Sequence, residues 1–417
     1  MVSRRVFLKS GALTLFSLGA GPHFLDRLAL AAPASGSRPK VLVSIFLRGA
    51  MDGLMAVPPI ADPDLRQFRP QLAMSAARAS ADPIHDLDGR FGLHPAFAPL
   101  LPLWADGRLA VVHAVGSPNP TRSHFDAQDY MEMGTPWRRS TPSGWLNRLA
   151  AVAGPPPSPF RAVSLSPTVP RSLVGDEPAL AITDLGKLQL TLPWEDETVE
   201  AIGFDLEKLY REHATGLLDR RSREMFAALR AISQKELVRY RQQRAQLYPP
   251  RNHLAQSLMQ IAYLIKADLG LRIACAETDG WDTHVGQGTI RGRFAARAGD
   301  LAAAIAAFWA DIEPYHDDVV VLTMTEFGRT VRENGSQGTD HGHGSCLFVL
   351  GNQVDGGKVY GEFPERLDPE LLFEGRDLPV TTDFRAVFSE VAGKLFDVGD
   401  DQRIFPGWTG QRLPVLW

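Results

Sequence analysis

The sequence is poor in cysteine and has no long hydrophobic run. Cys275 and Cys346 are the only cysteines in 417 residues, and neither has the CxxC spacing of a thiolate metal site. Both lie in apolar, strand-like segments, where cysteine acts as a small hydrophobic residue, so we expect two free thiols. A disulfide is the alternative if their strands are neighbours. The chain also lacks a GxSxG motif, which disfavours a metal-free serine hydrolase.

An excess of positive charge is also absent. The formal net charge is −4, and the first 31 residues contribute +3 to it, from Arg4, Arg5, Lys9 and Arg27 against Asp26. Without them the charge is −4 − 3 = −7. Bulk charge of this sign excludes general binding to nucleic acid or to anionic membranes. An anionic substrate would need local positive charge, which a bound dication supplies.

The amino terminus has the pattern of a twin-arginine export signal. Arg4 and Arg5 precede a mildly apolar stretch at 11–20 and small residues at 29–31. An amphipathic first helix would leave the paired arginines unexplained. The apolar stretch is shorter than the roughly 20 residues of a membrane span. We predict a signal peptide over residues 1–31, recognition by the twin-arginine translocase, a periplasmic or secreted mature protein, and no stable membrane span after cleavage.

Six short apolar segments predict a sheet buried on both faces. They are nearly continuous in apolar character and rich in β-branched residues, and they cover 40–49, 109–116, 160–166, 271–277, 318–328 and 345–351. Helical stretches separate them, including 293–312 and 384–398, the latter with Asp383 as its N-cap. The pattern predicts an α/β fold with a parallel sheet, in a single domain over residues 32–417.

A charged segment interrupts this alternation between the third and fourth predicted strands. Residues 205–250 are rich in helix formers, and another helical stretch follows at 253–268. We predict a helical insertion over about 200–268. It would be either a cap over the crevice, where it would select the substrate, or a solvated hairpin.

Polar residues collect where the predicted strands end, which is where open α/β sheets bind ligands. Six candidates follow or end predicted strands, namely Asp52, Ser123, His124, Asp282, His284 and Glu326, and three precede the sixth strand, namely Asp340, His341 and His343. Carboxylates and imidazoles without thiolates suit Zn²⁺ or Mn²⁺, with Ca²⁺ and Mg²⁺ as alternatives. The set is large enough for one or two ions. Taken singly, Asp52 also suits a turn, and Ser123 suits an N-cap.

Seven stretches give a resemblance to a known family. The sequence resembles the family labelled domain of unknown function 1501 in FLRGAMDGL (46–54), RSHFDAQDYMEMG (122–134), SGWLNRL (143–149), GWDTH (280–284), TMTEFGRT (323–330), TDHGHG (339–344) and TTDFRAVFSEV (381–391). That family resembles the alkaline phosphatase and sulfatase superfamily in fold. The resemblance implies an α/β/α sandwich with a mostly parallel central sheet and a helical insertion.

The resemblance also implies metal ligands. Asp52 takes the place of the first ligand, and Asp282 with His284 takes a later one. The acidic ligand is either Asp340, paired with His341, or Glu326; we favour Glu326, because the superfamily's acidic pair ends a strand. His341 or His343 then supplies the last ligand. The second histidine, His343, could instead orient a ligand without contacting the ion. Phe327 stands where the superfamily has a histidine.

The activity implied is hydrolysis of a phosphate or sulfate ester in a small molecule or a glycan. Ser123 would be the nucleophile, at the start of a helix, and His124 beside it would be a second catalytic residue. Arg329, with Arg48 and Arg122, would hold the anionic oxygens. The glycines of TDHGHG would let the backbone approach an ion closely. The alternative from another class is an exported binding or assembly protein that keeps the scaffold without turnover.

Overall fold

A computed structural model describes residues 38–74, 83–154, 158–187, 231–232 and 234–417. The predicted signal peptide over 1–31 and residues 200–230 and 233 of the predicted insertion over 200–268 lie outside these residues. Within them, no helix is both long and apolar enough to cross a membrane.

The centre of the molecule is a nine-stranded sheet, and all six predicted strands belong to it. Its strands are β1 (Val41–Leu47), β4 (Leu109–Gly116), β5 (Ala162–Ser164), β6 (Leu180–Ala181), β7 (Ile273–Thr278), β8 (Val319–Met324), β9 (Ser345–Leu350), β10 (Val359–Tyr360) and β11 (Thr382–Asp383). The order is β10-β4-β9-β8-β1-β7-β5-β6, and β11 pairs with β4. Two further strands, β2 (His85–Asp86) and β3 (Gly92–Leu93), form a separate hairpin. The prediction of an α/β fold with a mostly parallel sheet is confirmed.

One strand runs against the others. β9 pairs antiparallel with both β4 and β8, while the remaining neighbours in the sheet are parallel. Because of this reversal, the amino end of β9 lies at the edge where β1, β4, β7 and β8 have their carboxyl ends. The loop before β9 therefore joins the loops that follow these four strands.

The described helices flank the sheet. They are α1 (Gly53–Ala56), α2 (Pro63–Phe68), α3 (Leu101–Ala105), α4 (His124–Met133), α5 (Trp145–Val152), α6 (Gln234–Arg244), α7 (His253–Lys266), α8 (Arg293–Asp311) and α9 (Phe384–Phe396). The helices predicted at 293–312 and 384–398 are α8 and α9. Asp383 caps α9, accepting the backbone N–H of Arg385 at 2.9 Å.

Strand β1 shows why both faces of the sheet are covered. Val43 and Ile45 pack into the apolar core that contains α7 and α8, whereas Leu42 and Phe46 pack into the core that contains α5 and α9. Alternate residues of a strand point to opposite faces, so a continuous apolar strand needs a helical layer on each side. The result is a three-layer α/β/α arrangement.

The described end of the predicted insertion belongs to one of these layers. Helix α7 packs on α8 and β7. Asp311 at the end of α8 is fully buried and receives hydrogen bonds from Tyr240 and Tyr248, together with ion pairs from Arg244 and Lys266. The cap over the crevice stays a prediction, because residues 200–230 of this segment lie outside the described part.

Both cysteines are buried free thiols, as expected. Cys275 is on β7 and Cys346 on β9, with β1 and β8 between them. Burial raises the pKa of both thiols, which leaves them protonated and unreactive.

Candidate metal centre

Three imidazoles and one carboxylate meet at the carboxyl edge of the sheet. Nε2 of His341 lies 3.0 Å from Nε2 of His124 and 2.9 Å from Nε2 of His284. The Asp282 carboxylate lies 3.1 Å from His284 Nε2, 3.5 Å from His341 Nε2 and 3.6 Å from His124 Nε2. The ligand atoms of His124, Asp282 and His341 are all within 4.8 Å of one another.

The opposite nitrogen of each ring faces a hydrogen-bond acceptor. Nδ1 of His124 lies 2.8 Å from Glu326 Oε1, and Nδ1 of His284 lies 2.9 Å from Asp340 Oδ1. Nδ1 of His341 lies 2.8 Å from the carbonyl oxygen of Arg122. Since these oxygens accept, each Nδ1 carries a hydrogen, and in the neutral form of each ring Nε2 then carries a lone pair. Metal-binding histidines are held in the same way.

These donors fit a divalent transition metal. Three lone pairs and a carboxylate pointing at one another repel unless a cation lies between them. Two nitrogens bound to one tetrahedral Zn²⁺ at about 2.0–2.1 Å would be about 3.3 Å apart, close to the observed separations. Burial lowers the pKa of His341, as do the neighbouring His124, Arg329 and His284, and these effects outweigh the carbonyl of Arg122, so that the neutral ring is favoured.

Local backbone pairing places His341 between the other two rings. The loop before β9 pairs with the segment after β8 through an isolated bridge between Arg329 and His341. Two backbone hydrogen bonds extend it, from Thr330 N–H to Asp340 and from Gly342 N–H to Gly328, at 2.9 and 2.8 Å. His341 is therefore held by main-chain contacts on both sides.

The glycines of TDHGHG serve this pairing. A Cβ on Gly342 would overlap the backbone of Arg329, and a Cβ on Gly344 would lie 2.6 Å from the carbonyl oxygen of Pro379. In the structure these glycines let segments of the protein itself pack closely, and their approach to an ion stays a prediction.

Glu326 and Asp340, both predicted as ligands, accept hydrogen bonds from Nδ1 of His124 and of His284. Burial raises the pKa of Glu326, but hydrogen bonds from His124, Gln128 Nε2 and the Gly49 N–H outweigh it and hold that pKa below its usual range. A hydrogen bond from Asn334 lowers the pKa of Asp340, with a further contribution from His284. Each carboxylate is ionised and orients an imidazole.

Phe327 occupies the position where the resemblance led us to expect a histidine. Its ring centroid lies 4.9 Å from that of His124 and 5.0 Å from that of His341. It thus packs against two candidate ligands, and the third imidazole comes from His124. The sequence placed His124 in the crevice but gave it a catalytic role, and its position at the start of α4 was the available signal.

Asp52 lies apart from this cluster. It is buried and forms two hydrogen bonds with Arg69, at 2.8 and 3.1 Å. Gln287 donates to it at 2.7 Å, and the Met55 N–H at 3.2 Å, which caps α1. The structure thus places Asp52 in a buried ion pair and outside the cluster, and its ligand role stays a prediction.

Arg329 is also placed differently from the prediction. It is buried, and its guanidinium donates to the carbonyls of Gly49, Ala50, Trp281 and Thr339 and to the carboxylate of Asp282. Although burial raises the pKa of Asp282, the Arg329 hydrogen bond more than offsets this and lowers it. Arg329 therefore holds the surrounding loops and the candidate ligand Asp282, and the prediction that it binds substrate oxygens stays a prediction.

The other two arginines also have internal partners. Arg48 pairs with Glu132 and Glu277, each at 2.6 Å. Arg122 pairs with Glu374 and Asp377, each at 2.6 Å. Both positive charges are thus neutralised at the rim of the site.

His343 points away from the three rings. It is buried, donates from Nε2 to the carbonyl of Ser117 at 3.1 Å, and packs on Phe373 with ring centroids 4.6 Å apart. Burial lowers its pKa. The structure does not bring His343 into the cluster, and its ligand role stays a prediction.

Residues 39–406 match the sequence model of a family described as protein of unknown function (DUF1501). The chain belongs to the DUF1501 family. A search of the curated proteins found no match.

Among solved structures, this DUF1501 chain is similar to the C-terminal periplasmic domain of EcEptC from Escherichia coli in complex with Zn, with 12% identity, 82% of this chain and 76% of that chain covered, and a TM-score of 0.34. It is also similar to the lipoteichoic acid synthase LtaP from Listeria monocytogenes, with 9% identity, 84% of this chain and 71% of that chain covered, and a TM-score of 0.30. A third similar structure is a protein in the alkaline phosphatase superfamily from Vibrio parahaemolyticus, with 11% identity, 86% of this chain and 71% of that chain covered, and a TM-score of 0.28. Sequence identities this low carry no information about the chemistry of the site.

The predicted nucleophile of the DUF1501 chain is adjacent to a candidate ligand. Ser123 is the N-cap residue of α4, directly before His124, and its side chain makes no capping hydrogen bond. Its backbone N–H donates to Thr121 Oγ1 at 3.2 Å. The side chains of His284 and Asp282 are 39% and 44% exposed, so the cluster is open to solvent and to a ligand.

Proposed function

We propose that this protein binds one divalent cation, Zn²⁺ or Mn²⁺, through His124, His284, His341 and Asp282, and that it is an exported hydrolase of phosphate or sulfate esters. One observation carries the proposal: three Nε2 lone pairs converge beside a carboxylate, each fixed by an acceptor at Nδ1. Imidazole ligands favour Zn²⁺ or Mn²⁺ over Ca²⁺ or Mg²⁺.

A single ion agrees better with the side chains than two ions. In the described part of the chain, one group of His, Cys, Asp or Glu residues has the spacing to hold a metal. Asp52 and Glu326, which a second ion would need, have Arg69 and His124 as partners. The proposal is therefore a one-metal site.

The proposed chemistry uses the start of α4. A bound dication would supply positive charge that polarises the ester. The Ser123 hydroxyl attacks phosphorus or sulfur in line, the alcohol departs, and water then hydrolyses the enzyme ester. With no side chain capping the first turn of α4, its backbone N–H groups are available to the anionic oxygens.

Two exposed apolar residues next to the cluster suggest which substrates to test first. Phe125 follows His124 and is 85% exposed, and Val285 follows His284 and is 60% exposed. Apolar side chains next to two candidate ligands favour esters whose alcohol has an aromatic or aliphatic part. Aryl phosphates, aryl sulfates and aryl phosphodiesters are therefore the first substrates to test.

The test compares the wild type with two variants, with and without chelator. Ser123→Ala should abolish turnover and keep the metal, whereas His341→Ala should lose both. Undiminished turnover by Ser123→Ala would remove Ser123 from the mechanism. Turnover that is unaffected by chelator and by His341→Ala would remove the metal.

A second candidate function, an exported metal-containing binding or assembly protein, has an observation in its favour. Arg48, Arg122 and Arg329 are held by internal partners, which leaves no free guanidinium among them for a substrate anion. A stoichiometric metal with no turnover on any ester would support this candidate.

Export is part of the proposal and has its own test. The full-length chain should appear in the periplasm or the medium, and a variant with Arg4→Lys and Arg5→Lys should stay in the cytoplasm. Equal export of that variant would contradict the twin-arginine route.

A further inference from the structure

We propose that Asp377 is a positioning residue for His341, acting through Arg122 and Arg376. The inference rests on the proposed metal site, which it extends to a buried carboxylate outside the cluster. Asp377 touches none of the four candidate ligands through its own carboxylate. It receives hydrogen bonds from two arginines, and each of these arginines contacts His341 by a different atom.

The first connection fixes the imidazole ring. The carbonyl oxygen of Arg122 accepts the Nδ1 hydrogen of His341 at 2.8 Å, which places the ring's lone pair on Nε2. The guanidinium of the same arginine donates to Asp377 Oδ2, from Nε at 3.1 Å and from Nη2 at 2.6 Å. Because these two hydrogen bonds to one carboxylate oxygen fix where Arg122 lies, they also fix the acceptor that sets the tautomer of His341.

The second connection fixes the backbone of His341. Arg376 Nη2 donates to the carbonyl oxygen of His341 at 2.6 Å. Its guanidinium also donates to Asp377, from Nε to Oδ1 at 2.9 Å and from Nη2 to Oδ2 at 3.1 Å. The ring and the main chain of one ligand are therefore held by two arginines that converge on one carboxylate.

Asp377 is itself rigidly placed. Its side chain is fully buried. Its backbone exchanges hydrogen bonds with Phe373, at 2.8 and 3.0 Å, and forms an isolated bridge with Thr330. A buried carboxylate with two arginine partners depends on both, and removing its charge leaves the two guanidinium groups to find other partners. Arg122 has one available, Glu374 at 2.6 Å, and a shift toward it would move the acceptor of His341.

The experiment measures metal affinity in the full mature chain. Zn²⁺ dissociation constants are obtained by competition with a chromophoric chelator, and the Co²⁺-substituted protein gives a ligand-field spectrum. Asp377→Asn should weaken Zn²⁺ binding about 10- to 100-fold, as is typical when a group that orients a ligand is changed, and should alter the Co²⁺ spectrum. Asp311→Asn is the matched control: Asp311 is an equally buried carboxylate with cationic partners, and it lies at the end of α8.

A general loss of stability would weaken Zn²⁺ binding in both variants. Under the proposal only Asp377→Asn weakens it, and Asp311→Asn keeps the wild-type dissociation constant and spectrum. Asp377→Asn combined with Arg376→Ala should weaken binding less than the sum of the two single changes, because both act on the same contact. Wild-type Zn²⁺ affinity in folded Asp377→Asn would overturn the inference. If His341→Ala also kept wild-type affinity, the metal site itself would fail. Loss of binding in His341→Ala but not in Asp377→Asn would reject only the role of Asp377.

Discussion

Glu326 Oε1 accepts the Nδ1 hydrogen of His124 at 2.8 Å, although the two residues are 202 positions apart in the chain. The contact joins the end of β8 to the start of α4. It also decides which nitrogen of His124 faces the cluster, because a proton held at Nδ1 leaves the lone pair on Nε2. The sheet edge thereby sets the geometry of a candidate metal ligand.

Glu326→Gln should weaken binding of the divalent ion about 10- to 100-fold, since an amide cannot hold the proton at Nδ1 as a carboxylate does. Chelator competition at fixed pH measures the change. Glu390→Gln, which alters a buried glutamate on α9, is the control and should keep the wild-type affinity. Equal affinities of the Glu326 variant and the wild type would separate Glu326 from the site.

Asp52→Ala should destabilise the fold without removing the metal. The variant leaves the buried guanidinium of Arg69 uncompensated, which costs about 3–5 kcal/mol in the free energy of unfolding. Urea denaturation measures the loss, and elemental analysis measures the metal. Asp64→Ala, which breaks the exposed pair with Arg366, should cost much less. Loss of metal from folded Asp52→Ala would restore Asp52 as a ligand.

The fold could be predicted further than the site. The predicted segment 109–116 coincides with β4, and all eight of its residues are buried. The reversal of β9 does not follow from its own residues, since a buried apolar strand has the same composition in either direction, although grouping His341 with the other candidates presupposes it. That reversal brings the loop with His341 to the edge where β1, β7 and β8 end.

The residue types of the site were predictable, but several roles were not. Arg69, the partner of Asp52, lies just after α2 and outside every motif considered, so the ion pair that occupies Asp52 had no signal in the sequence. The saturation of Arg329 by four carbonyls is likewise a tertiary property. His124 could be placed in the crevice from its position before α4, but its role depends on Glu326.

Gly342→Ala should displace the loop that carries His341, because the added Cβ would overlap the backbone of Arg329. We expect both a lower melting temperature and weaker Zn²⁺ binding. Gly299→Ala is the matched control: Gly299 lies in α8 with open space around it, and alanine there should stabilise the protein by about 0.5–1 kcal/mol. Unchanged Zn²⁺ affinity in Gly342→Ala would contradict the role of this close packing.

Stability should fall in mild acid because of His113. Burial lowers the pKa of His113 to about 4, against 6.5 for an exposed histidine. Because the folded pKa is lower than the unfolded pKa, protonation favours the unfolded state. The free energy of unfolding should therefore be highest above pH 6.5 and should fall by about 3 kcal/mol as the pH decreases to 4. Unfolding measured from pH 8 to 4 should show this slope, and His113→Gln should reduce it. An unchanged slope in the variant would exclude His113 as its source.

Anomalous diffraction from crystals grown with Zn²⁺ tests the central claim most directly. A single peak should lie about 2.0–2.2 Å from Nε2 of His124, His284 and His341 and from the carboxylate of Asp282. A peak coordinated by Asp52 or His343 instead, or no peak among the three rings, would contradict the account.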